Sequence, residues 1–185
     1  MKVDNLKFFL LIPIFIPTLL FSQVDTAWVR RYNGSGNGSD VATFLFVAND
    51  GNLYVTGYSY QTDTYEDYTT LKYDSDGNLL WERRYDGQEN DEDVATFLFV
   101  DNDGNVYVTG YSYCYGTSYD YLTLKYDSDG NLLWERRYNG SGNGDDVACA
   151  VAVDNLGNVY VTGYSFGSGT SYDYATLKYD SDGNL

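Results

Sequence analysis

Four short runs of apolar or alternating residues, separated by polar turns, recur along this 185-residue chain. In the middle copy the first run, "VATFLFV" (94–100), is apolar on both faces, with Val94, Leu98 and Val100 on one and Ala95, Phe97 and Phe99 on the other. A strand with that pattern is covered on both sides. "VYVTGYS" (106–112) and "YLTLKY" (121–126) follow, rich in the β-branched and aromatic residues that favour strands. The fourth run, "LLWERRY" (132–138), alternates: Trp134, Arg136 and Tyr138 share one face, Glu135 and Arg137 the other. That predicts an outer strand whose charges discourage edge pairing. "DNDGN" (101–105) and "DSDGN" (127–131) stand between runs, and Asp-Gly in such a setting marks a tight hairpin.

The copies keep strict register. Trp28, Trp81 and Trp134 are 53 residues apart, and so are Gly57, Gly110 and Gly163. A repeat of this length, graded from a buried inner strand to a polar outer one, predicts a four-stranded antiparallel propeller blade. The expected fold is therefore an all-β β-propeller of about three repeats in an incomplete ring. Its expected parts are an outer strand at 28–32, blades at 41–85 and 94–138, and an incomplete blade at 147–185. The last copy stops at "DSDGNL", one outer strand short of a blade. This predicts completion by further C-terminal repeats or, second, by self-association.

The stretches "DVATFLFVDNDGNVYVTGYS" (93–112) and "DYLTLKYDSDGNLLW" (120–134) resemble the bacterial SBBP repeat family, the seven-bladed β-propeller repeat. The resemblance extends over Asp40–Trp81 and Asp146–Leu185, and so over nearly all of 28–185. It implies an exported or surface propeller within larger multidomain proteins, and it brings no common catalytic set.

The beginning of the chain differs from the repeats. "MKVDNLK" is basic, "FFLLIPIFIPTLLF" (8–21) is apolar, and Ser22 precedes a polar stretch. This order predicts a signal peptide over 1–22. The apolar run is shorter than the roughly 20 residues of a spanning helix and holds both prolines, so no stable membrane span is expected after cleavage. The expected location is secreted or cell surface. Without residues 1–22, 9 basic and 26 acidic residues remain, with no His, Pro or Met. Such a chain repels nucleic acid and lacks the usual imidazole base. Cys114 has Gln61 and Gly167 as repeat counterparts, and Cys149 has Thr43 and Thr96. A disulfide framework would recur with the repeat, so packed thiols are expected.

Candidate chemistry is limited. Calcium suits oxygen-rich loops, but Lys72, Lys125 and Lys178 stand where the first ligand of a "DSDGN" loop would be, and a tight turn explains the motif. Asp40, Asp93 and Asp146 precede each inner strand, where they either ring a channel mouth around a cation or cap the connector. Nearly every acidic residue recurs in its column, whereas catalysis needs residues in different roles. Glu66 and "ENDED" (89–93) are exceptions and read as solvated loop. The Trp–Arg–Tyr columns read as cation–π packing between blades. The loops "YQTDTYED", "YCYGTSYD" and "FGSGTSYD" carry an adaptable contact chemistry. Tyr60, Tyr65, Tyr113, Tyr115, Tyr119, Phe166 and Tyr172 are the candidate rim contacts, or else strand-end residues capping the core. The expected function is a non-enzymatic module without a cofactor that binds a protein or glycan. The rival is a calcium-dependent or carbohydrate-active propeller enzyme with carboxylates at the channel mouth. A third reading is a structural segment of a large adhesin.

Overall fold

The computed structural model describes residues 27–185, and the signal segment expected at 1–22 lies outside them. The first sheet holds β1 (Asp40–Val47), β2 (Leu53–Gln61), β3 (Tyr65–Tyr73) and β4 (Leu79–Tyr85). The second holds β5 (Asp93–Val100), β6 (Val106–Cys114), β7 (Ser118–Tyr126) and β8 (Leu132–Tyr138). The third holds β9 (Val147–Val153), β10 (Val159–Gly167) and β11 (Ser171–Tyr179). Each sheet is an antiparallel meander in chain order, two of four strands and one of three. No helix of the described residues is long and apolar enough to cross a membrane.

Turn chemistry sets the hairpins. In "DSDGN" the Asp127 carboxylate accepts the N–H groups of Asp129 and Asn131 and the Asn131 side-chain amide. Gly130 takes φ +80°, a conformation that only glycine enters freely. The same bonds recur at Asp74, Asp101, Asp154 and Asp180. These bonds hold the Asp74, Asp127 and Asp180 carboxyls below the ordinary aspartate range, chiefly through the asparagine side chain. Lys72, the residue before the turn's Tyr-Asp pair, sends its ammonium to the Ser128 carbonyl of the next blade.

The apolar core lies between sheets. Tyr54 and Tyr68 of the first blade pack with Leu98, Val108 and Leu124 of the second. Tyr107, Tyr121 and Trp134 of the second pack with Val151, Val161 and Leu177 of the third. Each fully buried aliphatic side chain contributes roughly 1.5–3 kcal/mol, so the blades hold one another together. Directional bonds fix their spacing. Tyr68 donates its hydroxyl to the Leu122 carbonyl, and Tyr121 donates to Ala175. Trp81 donates to Ser128 and Trp134 to Ser181, each tryptophan with an arginine guanidinium over its ring (Arg83 and Arg136). The Trp–Arg columns thus pack between blades, as their spacing predicts.

Two features differ from the pattern read in the sequence. The inner strands are not regular, since the register shifts between Ala42 and Phe44 and between Ala95 and Phe97. The extra residue, Thr43 or Thr96, turns its hydroxyl onto the next blade's inner strand, at the Ala95 or Ala148 carbonyl. Residues 28–32 are also not a strand and have no ladder partner among the described residues. They nevertheless lie where an outer strand of a preceding blade would lie. Trp28 donates to Ser75, and Arg30 to Asp76 and Gly77, repeating the contacts of Trp81 and Arg83 one blade on.

The ring is open. Tyr174 of the last blade is 97% exposed, against 1% and 0% for its counterparts Tyr68 and Tyr121. At the other end Leu45 is 59% exposed and its counterpart Leu98 is 0%. The expected packing of both thiols is corrected here: Cys114 is half-buried, but Cys149 is exposed because its strand borders the open face. Both are free.

Candidate functional site

Strand direction puts the loops after β2, β6 and β10 on the same rim as the connectors 33–39, 86–92 and 139–145. Bonds between them confirm the neighbourhood. Ser35 donates to Gln61, Ser118 to Asp145 and Tyr119 to Glu92, the last at 2.8 Å. The opposite rim holds the "DSDGN" turns, whose aspartates are engaged by the turns' own N–H groups.

The rim aromatics divide into two kinds. Tyr65, Tyr115 and Tyr172 are exposed, Tyr115 at 83%. Tyr60, Tyr113, Tyr119 and Phe166 are half-buried and make the strand ends. Tyr113 and Tyr119 are cross-strand partners with rings 5.7 Å apart, and Phe166 and Tyr172 repeat that pair at 5.4 Å. Phe166 lies over Gly142 and Gly144, where a β-carbon would meet its ring at 2.5 and 2.7 Å. Tyr60 lies likewise over Gly38. Tyr113, Tyr119, Tyr60 and Phe166 are therefore built into the rim, and the face open to a ligand carries Tyr65, Tyr115 and Tyr172. Tyr65 has φ +61°, as Ser118 and Ser171 do at the same column (+67° and +71°), so the loop type sets its aim.

The acidic run at 89–93 is not simply solvated loop, because the rim uses it. Glu92 accepts hydrogen bonds from Tyr111 and Tyr119, and Asp93 is 1% exposed. Burial, with Glu92 beside them, pushes both phenols above their ordinary range. Asp40, Asp93 and Asp146 each accept the N–H of a connector glycine: Gly34, Gly87 and Gly140. They tie down their own connectors. Across each blade junction such an aspartate faces one from β3 or β7. Burial raises Asp67 and Asp93 each to about 6, against an ordinary 3.8. Burial raises Asp120 also. Arg137 is not an outward charge. It donates to the Ser112 carbonyl and hydroxyl and lies 3.4 Å from Asp120.

With this geometry in view, relatives at the family level can be placed. Residues 136–172 match the SBBP family, a beta-propeller repeat. Residues 48–79 and 102–132 match the DUF5122 beta-propeller, a domain of unknown function. The chain is a β-propeller repeat protein. No curated protein matches it.

In this propeller the residue that sequence reasoning missed is Asp86. It looks like one more acid in a loop, yet its repeat counterparts are Asn33 and Asn139. Among the described residues, Asp67, Asp86 and Asp93 form a group of three carboxylates with ligand atoms within 4.8 Å of one another. The signal was present in the sequence as a break in the repeat column. What hid it was the fold: Asp67 and Asp93 belong to different blades.

Proposed function

We propose that this propeller is an exported, non-enzymatic module that binds a protein or carbohydrate through the rim formed by the β2–β3, β6–β7 and β10–β11 loops. The observation that carries the reading is the placement of Tyr65, Tyr115 and Tyr172 on one rim, all exposed, with Tyr65 and Tyr172 on hydrogen-bonded strands and Tyr115 on the turn that joins β6 to β7. A rigid scaffold presenting tyrosine, serine, threonine and glycine suits recognition, because tyrosine offers large contact area for few rotatable bonds. A groove at the edge of the first blade is a weaker candidate. It is lined by Trp28, Ala42, Val55, Leu71 and Tyr73 on the open face of the first blade, where a further blade would pack. Another blade packed on that face would cover the groove and leave the loop rim free.

The test is a glycan array and a protein pull-down with the purified chain, followed by Tyr65→Ala, Tyr115→Ala and Tyr172→Ala. Each exposed tyrosine that contacts a ligand is expected to weaken binding about 10-fold or more, in line with losses of about 1–2 kcal/mol at contact tyrosines. Unchanged affinity in all three variants refutes the rim assignment.

A further inference from the structure

We propose that the junction between the first and second blades is a calcium site, with Asp67, Asp86 and Asp93 as its carboxylate ligands. Their ligand atoms all lie within 4.8 Å of one another. A calcium ion holds oxygens at about 2.3–2.6 Å, so three such atoms can share one ion. Asp67 and Asp93 are each 1% exposed, fixed at the starts of β3 and β5, while Asp86 on the connector is exposed and gives the ion an entry.

A second observation points the same way. Asp67 Oδ2 accepts from the Thr64 hydroxyl at 3.0 Å and lies 3.7 Å from Arg84 Nε. Asp67 Oδ1 is buried and has no donor. Such an orphaned carboxylate oxygen is unfavourable unless something electropositive satisfies it. Arg84 does not, and its Nε is itself without a hydrogen bond. Of the three carboxylates only Asp67 has an ion pair among the described residues, with Arg84. The ligand set is entirely oxygen, which suits a hard cation. Calcium fits better than magnesium because two ligands are held at strand ends in a buried setting, whereas magnesium keeps several waters in strict octahedral order.

The neighbouring junction shows what the site lacks elsewhere. There Asn139 replaces Asp86. Both oxygens of Asp146 accept backbone N–H groups, from Gly140 and Phe166. Asp120 Oδ2 is met by Thr117 and by Arg137 at 3.4 Å, while its Oδ1, like that of Asp67, has no donor. What this junction lacks is the third carboxylate, which among the described residues occurs only at the first junction.

Chelator-stripped protein titrated with calcium chloride by calorimetry is expected to bind one ion per chain, with Kd below about 1 mM, the range of extracellular modules. Asp86→Asn restores the residue of the other two repeats and is expected to weaken binding at least 10-fold. Asp63→Asn, on an exposed loop of the same rim, is expected to leave it unchanged. The proposal is overturned if the wild type shows no saturable binding, or if Asp86→Asn binds as the wild type does. The rim-ligand reading is tested separately by the tyrosine variants, so either can fail alone.

Discussion

Replacing Gly110 with alanine is expected to destabilise the protein by about 3 kcal/mol, read as a fall of roughly 6–12 °C in the thermal midpoint. The reason is contact and not dihedral freedom, since Gly110 is absent from the positive-φ positions. A β-carbon there would meet the Val94 carbonyl oxygen at 2.0 Å, the Ala95 Cα at 2.9 Å and the Tyr68 hydroxyl at 2.7 Å. Two of these are backbone atoms of the paired inner strand, which cannot swing aside as a flexible side chain can. Relief requires the β5–β6 ladder to move just where its register shifts. The third contact carries the damage to the neighbouring blade, because the Tyr68 hydroxyl donates to Leu122 across the junction. Gly163 repeats the arrangement, with Val147 at 2.0 Å and the Tyr121 hydroxyl at 2.8 Å. The invariant "VTG" of the repeat is thus the place where a tyrosine of one blade reaches over the backbone of the next. Thermal denaturation followed by circular dichroism checks this, and a midpoint within about 2 °C of wild type shows that the ladder yields more easily than these distances imply.

The same glycine shows how far sequence carries. Strands, hairpins and the grading of each blade follow from alternation, Asp-Gly turns and a fixed repeat, because these depend on residues close in sequence. The contact that requires Gly110 joins residues of three strands in two blades, so one copy of the repeat does not reveal it. The inner strands read as simple alternation because the bulge at Thr43 and Thr96 adds a residue without altering composition. Arg137 reads as an outward charge on an alternating strand, yet its length lets it cross to Ser112 and Asp120. Of the rim aromatics, the loop sequences identify the whole set. Separating Tyr65, Tyr115 and Tyr172 from the built-in members required knowing that Tyr60 and Phe166 lie over connector glycines and that Tyr113 and Tyr119 are half-buried. Asp86 was legible only as a departure from its column, and its meaning depended on Asp67 and Asp93 meeting across a junction.

That meeting also predicts an unusual pH dependence. In chelator-treated buffer the protein is expected to be more stable at pH 5 than at pH 8, by about 2–3 kcal/mol or roughly 5–10 °C. Burial raises Asp67 and Asp93 to about 6 in the folded state, whereas in the unfolded chain such carboxyls titrate near 4. Between those values the folded protein binds more protons than the unfolded one, so stability falls as pH rises through the window. Above pH 6 both states have released these protons and the dependence flattens. The effect is estimated for the pair as a unit, because each carboxylate disfavours ionisation of the other. Below about pH 4 the sign reverses. The turn aspartates Asp74, Asp127 and Asp180 hold their charge through hydrogen bonds that protonation removes. Stability should therefore peak near pH 4. General charge repulsion in a chain of net charge −16 also relaxes on acidification, and a variant separates the two causes. Asp93→Asn removes one titrating group and the like charge beside Asp67, while its carboxamide oxygen still accepts the Gly87 N–H. Its difference between pH 5 and pH 8 is expected to shrink by half or more. If Asp93→Asn keeps the full difference, overall charge and not the buried pair is the cause.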